Sequence, residues 1–151
     1  MRLTFVLSNH QYMRQVQDIA AFVLRIALAT GFLSAVASRL DLLGSRSSGW
    51  KNFLKYTAEV NSFLPKNFIP AIAVASTILE SELAILLLIG FKTNYAAYGT
   101  AILTLLFALA MAYSFGIREP FDYSVFAFSA GAFLLGTFPH YKWSLDQLLI
   151  N

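Results

Sequence analysis

Residues 68–91 read FIPAIAVASTILESELAILLLIGF, an apolar run whose only charges, Glu80 and Glu82, lie near its centre. The run is longer than the ~20 residues an α-helix needs to cross a hydrocarbon core of about 30 Å. In lipid a backbone must satisfy its own hydrogen bonds, so such a run is a helix. A charged side chain at mid-bilayer costs roughly 2.5–3.5 kcal/mol on insertion scales. Each glutamate therefore needs protein, water or a partner to face.

The rest of the chain repeats this pattern. Taking 68–90 as one span, three others of spanning length follow at 18–38, 95–115 and 121–138. None shows the ten-residue polar alternation of barrel strands. The expected fold is all-α: an integral membrane four-helix bundle over 18–138, with an N-terminal interfacial segment 1–17 and a C-terminal tail 139–151. Lys92–Thr93–Asn94 makes the second and third spans antiparallel neighbours, and Gly116–Pro120 joins the third to the fourth. Pro120 suits a first helical turn, where no N–H is required. Tyr95, Tyr98, Tyr113, Tyr123, Tyr141 and Trp143 fall near segment ends, as an aromatic belt does. Four spans put both termini on one side.

The connection between the first two spans begins with a turn-rich linker, Gly44–Gly49. Phe53, Tyr56, Val60, Phe63 and Leu64 then recur at helical spacing, with Lys51, Lys55 and Glu59 on another face. This predicts a short amphipathic helix over 49–64, ended by Pro65. It would lie on the membrane surface, cap the mouth of the bundle, or do both.

Composition agrees with a membrane protein: 58% hydrophobic and 13% charged, with a mean hydropathy of +0.62, against about a quarter charged in soluble domains. A net charge of +3 is of the sign that suits nucleic acid, but the 11 basic residues sit scattered at segment ends. They act as interfacial anchors, not a binding stripe. Cysteine is absent, which removes disulfide exchange, Fe–S clusters and thiolate sites. The N-terminus lacks the pattern of a cleaved signal peptide. Counted simply, basic residues would make the loop side cytoplasmic, yet several of them belong to the surface helix, so orientation stays open. No Gly-x-Ser-x-Gly elbow or phosphate loop appears, which argues against hydrolase or nucleotide chemistry. His10 and His140 flank the spans without a second ligand at metal spacing, so no metal or haem is expected.

The interior charges are the candidate site: Arg25 in the first span, Glu80 and Glu82 in the second. At 1.5 Å per residue, Arg25 lies roughly 9 Å, Glu82 about 13 Å and Glu80 about 16 Å from the terminal face. Arg25 with Glu82 is the better depth match. The two glutamates point about 200° apart and cannot share one partner. Three readings follow: an ion pair that fixes helix register, a polar ligand or proton site, or a glutamate facing a partner subunit. Asp122 would complement the positive end of the fourth helix, with a secondary substrate role for Asp122 and Tyr123 as the alternative. Small-residue stripes (Ala27, Gly31 and Ala35; Ala108 and Ala112; Ala132 and Gly136) read as close helix packing.

Several segments together resemble the DoxX family of small four-helix bacterial membrane proteins. They are Leu24–Ala27, Tyr56–Pro65, Ile78–Glu80, Leu86–Thr93 and Arg118–Ser124. The resemblance implies a bacterial inner-membrane subunit associated with oxidoreductases, with a protein partner or homo-oligomer, and a quinone or proton site lined by Arg25 and Glu80. Glu82 departs from the apolar residue more usual there, and Ala84 from a glycine. The cysteine pairs of more distant methylamine-utilisation and quinone-reductase relatives are missing, so thiol chemistry is not implied. A non-catalytic assembly subunit is the second reading and a small-solute or proton transporter the third. No inverted repeat or broken midplane helix supports the transporter.

Overall fold

A computed structural model describes residues 2–150, with side chains described from 12 to 149. Its order is α1 (Arg2–Arg39), α2 (Trp50–Val60), α3 (Ile69–Ile89), α4 (Thr93–Phe115), α5 (Arg118–Asp122), α6 (Val125–Gly136) and α7 (Leu145–Ile150). No strand occurs among the described residues. Three stretches, Tyr12–Arg39, Lys66–Ile89 and Thr93–Phe115, have the length and hydropathy to cross a membrane. The protein is an all-α integral membrane protein.

Helix α1 carries one buried stripe at seven-residue spacing. Asp18, Arg25 and Phe32 are 4%, 1% and 5% exposed, and the Arg39 side chain is 13% exposed. Seven residues are nearly two turns, with only ~20° of drift, so all four face inward. Met13, Val16, Ile19 and Val23 cover the outer face, where lipid would lie. The segment expected as an interfacial arm is helical and continuous with α1 from Arg2 onward.

Helix α4 is the hub of the bundle. Its Ala97, Ala101 and Ala108 are buried, as are Ala132, Leu135 and Gly136 on α6. Ser129 donates to the Ala101 carbonyl at 2.8 Å. A Cβ on Gly136 would come within 2.6 Å of the Tyr98 ring, so this crossing needs glycine. A Cβ on Gly31 would similarly meet Phe128 of α6 at 2.7 Å. Ala27, in the same sequence stripe as Gly31, is exposed.

The expected fourth span, 121–138, is two helices. Ser124 takes a left-handed conformation (φ 54) between α5 and α6, and its carbonyl accepts from Phe128 N. With 12 residues, α6 is about 18 Å long, short of a hydrocarbon core. An apolar run reports burial but not the turn that divides it. The amphipathic helix is present as α2, packed on α3 and α4. Thr57 and Val60 are its buried residues, and Ser114 at the end of α4 donates to the Val60 carbonyl at 2.6 Å. It caps the bundle mouth.

Candidate functional site

Arg39, at the last turn of α1, reaches back into the bundle. Its two terminal nitrogens meet both carboxylate oxygens of Glu80 at 2.9 Å. This bidentate geometry is the strongest form of such a pair. Glu80 is buried, its side chain only 2% exposed. The guanidinium lies over the Phe53 ring of α2, 4.0 Å from its centroid, and approaches Thr77 Oγ1 at 3.4 Å. Thr77 in turn donates to the Ala73 carbonyl at 2.8 Å. Three helices thus hold one ion pair in place.

The pair forms the polar corner of a half-open cavity of about 390 Å³. Its other walls come from α2 (Phe53, Tyr56, Val60), α3 (Ile72, Ala75, Leu79) and α4 (Leu103, Leu106, Phe107, Met111). Ser76, Thr57 and Asn61 also reach it, but each already donates to a backbone carbonyl within its own helix or helix end. Their oxygen lone pairs, and the second amide N–H of Asn61, are left for a guest. Partial burial raises the Tyr56 phenol above its ordinary value, aided by the negative charges of Glu119 and Glu59. It is a neutral hydroxyl at the mouth. The site suits a molecule with an apolar body and one small polar end.

The expected pairing of Arg25 with Glu82 does not form, and neither does one with Glu80. Arg25 donates to the Trp143 carbonyl and lies against Phe22. It abuts Gly90, where an added Cβ would fall 2.6 Å from its Nη1. Arg25 is therefore level with the end of α3, not several residues inside it. The expected depths take the first span to begin near residue 18, whereas α1 runs on beyond it toward the N-terminus, and hydropathy carries no register between helices. Arg39 falls one residue past the expected span 18–38, among the basic residues at segment ends. Its length, and its position on the same heptad stripe as Arg25, are the signals that identify it.

A second polar cluster ties the C-terminal segment to the bundle. Buried Asp18 receives Lys142 at 2.7 Å and meets His140 Nε2 at 3.0 Å. The Asp146 carboxylate accepts the Lys92 and Thr93 amides at 2.6 and 2.8 Å, capping the start of α4. Arg25 belongs to this end of the molecule. Asp122 pairs with Arg118 on the surface and closes α5, so it does not cap α6. Tyr123 is 68% exposed. Neither lines the cavity. Glu82 lies on the exposed face of α3.

Fold and site define a helical membrane protein with a half-open apolar cavity closed by a buried ion pair. Residues 17–122 match the profile of the family described as methylamine utilisation protein MauE. That match covers well over half of the chain, and the chain belongs to this family. The finding overturns the DoxX resemblance, since the two are different families. The quoted segments are short, and their order along the chain does not separate families. No curated protein matches, and no solved structure matches.

Proposed function

We propose that this chain serves a methylamine-utilisation system as an oxidoreductase-associated subunit of the bacterial inner membrane. In this reading the Arg39–Glu80 cavity seats an apolar molecule by its polar end. The carrying observation is the buried bidentate pair at the corner of a largely apolar space of about 390 Å³. Burying a charge pair is often no better for stability than apolar packing, so a pair lining a cavity invites a role in recognition. A quinone ring is the chemical class that fits best. Its carbonyl oxygen would accept an N–H from the Arg39 fork, its ring would lie among Phe53, Leu103 and Phe107, and its tail would leave through the open side. In this reading Glu80 would hold a proton beside that carbonyl.

The two tryptophans make a built-in test. Trp50 neighbours Phe53, with ring centroids 5.6 Å apart, while Trp143 lies at the Arg25 end. A short-chain benzoquinone is titrated into nanodiscs holding either Trp143→Phe or Trp50→Phe protein, and tryptophan quenching is followed. Expected is saturable quenching of Trp50, weakened at least tenfold by Glu80→Gln, with only linear quenching of Trp143. Linear quenching of both, unchanged by Glu80→Gln, refutes the seat and leaves an assembly subunit without a small ligand as the better reading.

A further inference from the structure

Glu82 is an intramembrane carboxylate on the outside of the bundle. Along α3 the exposed residues Val74, Ile78, Ile85 and Ile89 form a stripe at three- and four-residue spacing, and Glu82 stands within it. Glu82 points about 200° around the helix from Glu80. Among the described residues, Glu82 makes no hydrogen bond or ion pair, while Glu80, two residues away, makes both. It lies seven residues, about 10 Å, inside the end of α3. A glutamate side chain is too short to bring its head to the interface over that distance, unlike a lysine or arginine. A carboxylate held against hydrocarbon is costly, and such residues ordinarily pair with protein.

We propose that this face of α3 docks a transmembrane helix of a different protein, one that carries a lysine or arginine at the depth of Glu82. Charge complementarity selects that occupant. A second copy packed about a two-fold axis through this stripe would set Glu82 against Glu82, juxtaposing like charges. A plain apolar helix would leave the carboxylate unanswered. The flanking aliphatics supply the packing that membrane helices rely on, and the single charge fixes rotation and depth. The inference is independent of what the cavity binds.

The test uses the full chain, donor-labelled, in vesicles with acceptor-labelled poly-leucine transmembrane peptides. One peptide carries a single lysine about a third of the way across, and the other is leucine throughout. Expected is at least tenfold tighter association, by energy transfer, with the lysine peptide than with its leucine twin. Glu82→Leu, an exposed position where leucine suits lipid, abolishes that advantage, and the isosteric Glu82→Gln reduces it at least threefold. Equal association of the two peptides with the wild-type chain overturns the proposal. So does an advantage that survives both substitutions. Energy transfer between differently labelled copies of the chain that is lost in Glu82→Leu assigns the face to a second copy, and equally overturns it.

Discussion

Removing either member of the Arg39–Glu80 pair should have unequal consequences, because the two are not equally buried. Glu80 is 2% exposed and Arg39 13%. With Arg39→Met, the carboxylate is left inside the bundle without a counter-charge, a change worth about 3–5 kcal/mol. With Glu80→Met, the guanidinium keeps its stacking on Phe53 at 4.0 Å and, at the end of α1, can swing toward the mouth. Losing its acceptor should then cost about 1–3 kcal/mol. Replacing both by methionine removes the charges together and fills the space with side chains of similar volume. The double variant should lie within about 1 kcal/mol of the parent. The coupling in this cycle should therefore exceed ~3 kcal/mol, well beyond the few tenths seen for independent sites. Equilibrium unfolding of the purified protein in mixed micelles, titrated with SDS and followed by far-UV circular dichroism, measures all four corners. If the two single costs are equal, or if they simply add in the double variant, the pair is not the buried, mutually dependent unit described above.

Other parts of the molecule give sharper local tests. Asp146→Ala removes the acceptor of the Lys92 and Thr93 amides; it should cost about 0.5–2 kcal/mol and speed hydrogen exchange at those two amides specifically. Gly90 ends α3 at φ 68 with Ser144 and Arg25 packed where a Cβ would project. Gly90→Ala should cost more than ~1 kcal/mol in the same SDS titration, and a neutral result would contradict the docking of the C-terminal segment. Tyr141 donates to the Leu135 carbonyl at 2.7 Å, and burial, then the charges of neighbouring Tyr98 and Asp146, push its phenol well above the ordinary value. Above pH ~10 the unfolded chain ionises this group first, so stability should fall as pH rises further. Tyr141→Phe should cost about 0.5–1.5 kcal/mol at neutral pH and flatten that alkaline decline.

Much of the fold could be read from the chain because the bilayer allows few solutions. Long apolar runs must be helices, and the ends of α3 and α4 fall within a few residues of where hydropathy, Gly90 and Gly116 put them. The amphipathic helix was visible in the spacing of Phe53, Tyr56 and Val60. The division of the last apolar run into α5 and α6 was not, because it turns on a left-handed Ser124, a residue type with no strong claim to that conformation. Arg25, Glu80 and Glu82 stood out as charges that need an explanation. Their partners could not be read off, since an arginine can reach a full helical turn or more from its own backbone position.

Membership of a membrane-protein class, the helical fold and the presence of interior charges were thus determined by the amino-acid sequence alone. All three follow from the cost of polar groups in hydrocarbon, which acts on each segment separately. Only the tertiary structure decided that Arg39 meets Glu80, that Arg25 secures the C-terminal segment beside Gly90, and that Glu82 is left facing outward. These depend on the relative rotation and sliding of packed helices. That register is set by side chains such as Gly31 against Phe128 and Gly136 against Tyr98, whose contacts lie far apart in the chain.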